Sequence, residues 1–177
     1  MSENRSYFMP GIVLALLTLV LDQLSKYWVV HHFWPGHGCD PLNKATAFRC
    51  NFPVTSFMDL TMAWNTGISY GLLSDNGQTG RILLIAFSAV AVIGFTIWLL
   101  RSTSLLLAVS IGLVIGGAAG NAIDRVVYGA VADFVSLHAF GFYWYIFNLA
   151  DAAIVAGAAG LLYDLLWGDR KNALNDT

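Results

Sequence analysis

The chain alternates long apolar runs with polar breaks. Apolar runs occupy residues 10–30, 82–100, 105–127 and 143–167. Each is close to the roughly 20 residues a helix needs to cross a hydrocarbon core about 30 Å thick. The pattern predicts four membrane-spanning helices with both termini on one side. The third run carries Gly112, Gly116 and Gly120 at four-residue spacing, and the fourth carries Ala152, Ala153, Ala156 and Gly157. Such small-residue stripes let helices approach closely within a membrane. Between the first two runs lies a polar, broken segment, 31–80. Within it, 57–73 alternates loosely and is rich in Thr, Tyr, Trp and Met, with Asn65-Thr66-Gly67 as a turn signal. A small sheet or hairpin lying on the membrane surface is expected there, its aromatic residues acting as interface anchors.

Composition agrees with the apolar pattern. The 177 residues are 57% hydrophobic and 11% charged, with mean hydropathy +0.64, against roughly 25% charge in an ordinary soluble domain. One domain, 1–177, is expected. The net charge of −2 and the lack of a basic run exclude nucleic acid as a natural partner. The first run holds Asp22 and Lys26 and lacks a small-residue cleavage pattern, so it reads as a retained span rather than a signal peptide. Positive charges give no orientation, because four flank one face (Arg5, Arg101, Arg170, Lys171) and four the other (Lys44, Arg49, Arg81, Arg125). Four His and two Cys carry no HExxH or paired CxxC spacing, so neither a metal nor a cofactor is expected. Cys39 and Cys50 share one polar loop. A disulfide and two free thiols are both open, and an oxidising compartment favours the disulfide.

Carboxylates are what change the picture. Asp124, Asp133 and Asp151 fall in an almost wholly apolar window, 116–151, and each ionised carboxylate in hydrocarbon costs a few kcal/mol unless it has a partner or a task. The predicted topology brings Asp22, Lys26, Asn65, Asn121, Asp124, Arg125, Asp133, Asn148 and Asp151 to one face of the bundle. Asp151 is expected about eight residues into the fourth span. The other half of the membrane is left apolar, unlike a pore with polar groups through its depth. Asp22 and Lys26, four apart, form an expected ion pair. Asn121, Asp124 and Arg125 share a helical face, so Arg125 is the expected partner of Asp124. Asp133, on a loop above the fourth span, and Asp151 have no cation near them in sequence. Two close carboxylates share a proton, which suits one to activate water and the other to protonate a leaving amine.

At these residues the chain resembles the bacterial lipoprotein signal peptidases, the signal peptidase II family. Asp22-Gln-Leu-Ser-Lys26 resembles the family's first-span motif and Asn65-Thr66-Gly67 its Asn-Thr-Gly turn. Gly120-Asn121-Ala-Ile-Asp124-Arg125 is similar to N-x-x-D-R, Val131-Ala-Asp133-Phe134 to V-x-D-F, and Phe147-Asn148-Leu-Ala-Asp151 to F-N-x-A-D. All five occur in the family's order and cover most of the chain. The resemblance implies an all-α membrane protein, with four transmembrane helices and a small periplasmic-side β-sheet. It implies an aspartyl endopeptidase of the inner membrane with cytoplasmic termini. Asp133 and Asp151 are the implied catalytic pair. Asp22, Lys26, Asn65, Gly67, Asn121, Asp124, Arg125 and Asn148 support it or bind substrate. The implied substrate is a prolipoprotein bearing diacylglycerol, cut just before its lipidated Cys. Membrane lipids are implied as surroundings and globomycin-type inhibitors as ligands. The segment 31–49 matches no motif of the family. Three alternatives are weaker. A small transporter or proton-conducting protein calls for deeper polar groups. A presenilin-type protease calls for a G-x-G-D that is absent, although Tyr163-Asp164 is present. In a purely structural subunit, two cations would have to neutralise four carboxylates.

Overall fold

In a computed structural model of the chain, residues 7–44, 46–67 and 77–175 are described. Four helices are long and apolar enough to cross a membrane. Helix α1, Phe8–Trp28, runs on through a wide π-type turn, Val29–Phe33, and a last turn, Trp34–Gly36. Helices α2, Gly77–Leu99, α3, Leu105–Val127, and α4, Leu149–Asn175, complete the bundle. Four antiparallel strands lie at one end in the order β1 (Asn51–Thr55), β2 (Met58–Asn65), β3 (Val131–Ala139) and β4 (Phe142–Phe147).

Helix α3 is the centre of the bundle and packs on each of the other three. Ser104 starts it, its hydroxyl accepting the Leu107 N–H at 3.1 Å. Its small-residue stripe then sets the packing distance. A Cβ on Gly116 would stand 2.5 Å from the Ala15 carbonyl of α1, and one on Gly117 2.5 Å from the Ala150 carbonyl of α4. At Gly120 the Asp22 carboxylate occupies the place a Cβ would need. These close approaches stand in for a hydrophobic drive between helices that lipid tails do not supply. The outward faces stay apolar, as with Phe87, Val90 and Ile93 of α2.

The sheet is fixed to the bundle by its own small core. Val29, Val30 and Trp34 of the extended α1 pack with Cys50, Met62, Ala132 and Phe134. The π-type turn lets the adjacent Val29 and Val30 both be buried. Cys39 and Cys50 are joined by a disulfide that ties the intervening loop to the start of β1.

Three expectations from the sequence are corrected. The fourth span begins at Leu149 rather than near 143, because Phe142–Phe147 is a strand. Its aromatic run is as apolar as a helix, but Phe140 and Gly141 both adopt positive φ, 53° and 79°, and turn the chain into a hairpin. Asp151 is therefore in the first turn of α4, not two turns down. Asp133 lies within β3 rather than on a loop, opposite Ala63 of β2. The β1–β2 hairpin turns at Ser56 and Phe57, and at the expected turn the Gly67 N–H donates to the Asn65 side chain. Asn65 ends β2, where it pairs with Val131 of β3. The second half of the expected hairpin, 68–73, lies outside the described residues.

Gly116→Ala should destabilise the bundle by about 1–3 kcal/mol, the usual cost of overpacking. Gly94→Ala, where a Cβ meets nothing within 4 Å, should be neutral. Equilibrium unfolding of both variants in detergent micelles checks the contrast.

Candidate active site

Asp22 and Lys26 sit one turn apart on α1, and both are buried. Lys26 Nζ lies 2.9 Å from Asp22 and 2.9 Å from Asp124 of α3. The partner of Asp124 is thus Lys26, not Arg125 as its sequence neighbourhood suggested. Consecutive residues on a helix point about 100° apart, so Arg125 diverges from Asp124. Its guanidinium instead donates to the Asn121 carbonyl at 3.2 Å and the Gly67 carbonyl at 3.1 Å. One lysine cannot neutralise two carboxylates, and N–H donors supply the remainder. Gln23 donates to Asp22 at 3.2 Å and to Asp124 at 3.0 Å. The Ala150 N–H donates to Asp22 at 2.9 Å and the Ala132 N–H to Asp124 at 3.1 Å.

These last two bonds connect the charge cluster to the elements carrying the other aspartates. Ala150 is in the first turn of α4, where orphan N–H groups and the helix dipole favour a negative charge. Asn148 caps the same helix. Its Oδ1 accepts the Asp151 N–H at 3.0 Å, while the Asp151 carboxylate accepts the Asn148 N–H at 3.3 Å. That reciprocal pair is a capping box. The i, i+3 spacing of Asn148 and Asp151 therefore marks the start of a helix.

The side-chain amides then join the two aspartates. Asn148 Nδ2 donates to Asp133 at 2.6 Å and to Asn121 Oδ1 at 3.2 Å. Asn121 receives Lys26 at 3.1 Å and donates to Asp151 at 2.8 Å. Asn65 donates to the other Asp133 oxygen at 3.1 Å, and its own oxygen accepts the Gly67 N–H at 3.1 Å. Asp133 and Asp151 thus share a frame of three asparagines. Among the described residues, neither has a cation within ion-pair distance, although Arg125 is within electrostatic reach of both. Burial, and then the charge of Asp151, push the Asp133 carboxyl up to about 7, against the opposing hydrogen bonds of Asn65 and Asn148.

Two contributors had no signal in the sequence reading: Gln23, and Tyr145, whose hydroxyl accepts from Asn65 at 3.2 Å. The N-x-x-D before an apolar run was the available sign of the Asn148 cap. Beside Asp151, an apolar groove of about 1200 Å³ opens between the β3–β4 hairpin and α4, with Phe142, Trp144 and Phe147 above Ala152 and Val155. Among the described residues no His, Cys, Asp or Glu cluster has the form of a metal site.

Residues 14–167 match the model of signal peptidase (SPase) II. The chain belongs to the signal peptidase II family. A lipoprotein signal peptidase of Rhodopseudomonas palustris (strain TIE-1) is 48% identical over 162 residues, 89% of this chain and 92% of its own. One of Methylorubrum extorquens (strain PA1) is 50% identical over 159 residues, 90% of this chain and 86% of its own. A solved bacterial membrane enzyme superposes with a TM-score of 0.73 at 27% identity, covering 92% of this chain and 90% of that one. The chain is thus a multi-pass membrane peptidase of this family.

Lys26→Met leaves Asp22 and Asp124 buried together without a cation, which typically costs about 3–5 kcal/mol. Folded yield should drop sharply, and adding Asp22→Asn and Asp124→Asn should recover part of it. Size-exclusion profiles at matched expression check this.

Proposed function

We propose that this signal peptidase is an aspartic endopeptidase whose catalytic pair is Asp133 and Asp151. Its substrates are prolipoproteins carrying diacylglycerol, cut before the lipidated Cys. The observation that carries the reading is the Asn148 bridge between two carboxylates that, among the described residues, have no cation at ion-pair distance, with the Asp133 carboxyl raised to about 7. Every other aspartate in the cluster is committed to Lys26 or to a backbone N–H. The kinship supports the substrate class, and the apolar groove ending at Asp151 supports a lipid-borne one.

Asp151, at the positive end of α4, takes a proton from water as general base. Asp133 in its protonated form donates to the scissile carbonyl. Hydroxide adds to that carbonyl carbon, and the tetrahedral intermediate then collapses. The C–N bond breaks, the proton taken by Asp151 goes to the departing amine of the lipidated Cys, and Asp133 recovers its own proton. Placing the bond at the depth of the pair removes orientational entropy from the barrier. Gly67, Asn65 and Arg125 flank the pair and are positioned to hold the substrate backbone. The site faces the periplasm of the inner membrane and the termini face the cytoplasm, an orientation favoured by the disulfide beside the sheet. Membrane lipids surround the groove.

Asp133→Asn and Asp151→Asn should each abolish cleavage of a diacylated prolipoprotein while leaving the folded yield intact. The double variant should be little worse, because the two act as a unit. Near wild-type cleavage by either single variant, at matched membrane levels, would remove that residue from the pair. Globomycin-type inhibitors should block the reaction and metal chelators should not.

The pH profile should be bell-shaped, its limbs belonging to the pair. Asp133 is raised above its unfolded value near 3.8. Its contribution to stability is therefore fully present below that value and lost as pH rises through about 7. Activity that needs its proton should fall over the same alkaline range. Initial rates from pH 4 to 9 test this, and a rate still climbing past about pH 8.5 would exclude the protonated role of Asp133.

A further inference from the structure

The disulfide-closed loop is the part of the chain that the proposed chemistry leaves unused. It does not hang free. Cys50 is 1% exposed and packs with Ala47, Met62 and Ala132. The Met62 N–H donates to the Cys50 carbonyl at 3.0 Å. Two further contacts converge on Trp64: its Nε1–H donates to the Pro41 carbonyl at 2.7 Å, and Lys44 Nζ stands 5.1 Å from its ring centroid. Lys44 also donates to the Tyr128 carbonyl at the end of α3, and the Tyr128 ring lies 5.3 Å from that of Trp64. Pro41 and Lys44 both lie inside the loop closed by Cys39 and Cys50.

Trp64 directly precedes Asn65 in β2, and across the ladder it pairs with Ala132, which directly precedes Asp133. The clamped pair Trp64–Ala132 therefore stands next to the Asn65–Asp133 hydrogen bond. We propose that the disulfide-closed loop, acting through Trp64 as a positioning residue, holds Asn65 against Asp133, so that peptidase activity depends on the oxidised state of Cys39 and Cys50. This rests on the reading of Asp133 as one of the catalytic pair. Opening the bond frees the loop between residues 39 and 50, releasing Pro41 and Lys44 from a fixed distance to β1 and restoring conformational freedom that the cross-link removed. A displacement of about 1 Å at a catalytic group is enough to slow a reaction by about a hundredfold. The groups facing Asp133 are Asn65 from β2, Asn148 and Asp151 from α4, Lys26 from α1 and, at longer range, Arg125 from α3. Asn65 is the one that the loop governs. Its hydrogen bond favours the ionised carboxylate, so its loss strengthens the hold of Asp133 on its proton.

The test uses the full chain in detergent with a diacylated prolipoprotein. Oxidised enzyme is compared with enzyme treated with dithiothreitol, which becomes a cyclic disulfide as the Cys39–Cys50 bond opens to two thiols, counted by alkylation. Cys39→Ala with Cys50→Ala repeats the comparison without reductant. In both, kcat should fall about tenfold or more with KM within about twofold, and the alkaline limb should move up by about half a pH unit. Trp64→Phe keeps a ring but loses the Pro41 bond, and should shift kcat and the limb the same way, less far, with the disulfide intact. Unchanged kcat and pH profile in the reduced enzyme and the double variant overturn the proposal. So does a rate loss matched by loss of folded protein with the limb unmoved, the outcome of a merely structural clamp. Failure of the oxidised enzyme to cleave, or cleavage by Asp133→Asn, overturns the reading of the pair itself and takes this proposal with it.

Discussion

The buried lysine between two buried carboxylates is the constraint on which the arrangement depends. Lys26 comes from α1, and its partners Asp22 and Asp124 from α1 and α3. In a medium without water, none of the three tolerates separation from the others. Two carboxylates share one lysine, and their remaining oxygens take N–H donors from two more elements, β3 through Ala132 and α4 through Ala150. The demand for satisfied charge is therefore what fixes a strand and a helix N-terminus relative to the first and third helices. Close packing along the glycines of α3 makes the distances short enough for these bonds to form.

The same connectivity separates two populations of carboxylate. Asp22 and Asp124 share one cation, Lys26, and each also takes a backbone N–H. Among the described residues, the donors to Asp133 and Asp151 are neutral amides and a backbone N–H, from Asn65, Asn121 and Asn148. Burial and the charge of Asp151 raise the Asp133 carboxyl, although Lys26 and Arg125 lie within electrostatic reach. A buried carboxyl raised toward neutrality, as Asp133 is, is a candidate for acid–base chemistry. The Lys26 cluster and the proposed catalytic pair thus sit side by side, bridged by the amide of Asn121.

The sheet belongs to the site rather than to the surface. Its core with the extended α1 and the Cys39–Cys50 loop holds β2 and β3 in register, and that register sets Asn65 and Asp133 side by side. The β3–β4 hairpin, bearing exposed Phe142, Tyr143 and Trp144, carries the apolar groove down to Asp151.

The sequence by itself determined that there are four spans, because apolar length is a local property. It also determined that the unusual polar residues gather at one face, because topology alone counts them there. The helical spacing of Asp22 and Lys26 gave a pair that the fold retains. What the tertiary structure decided is partnership. Asp124 takes Lys26 rather than its neighbour Arg125, since adjacent helical residues diverge while α1 is brought within bonding distance by Gly116 and Gly120. The run at 142–147 is a strand rather than the start of a helix, since hydrophobicity does not distinguish the two and only pairing with β3 does. Asn148 and Asp151 form a helix cap, and that depends on where the helix begins. Long-range contacts settle each of these, and a sequence pattern records only what lies within a few residues.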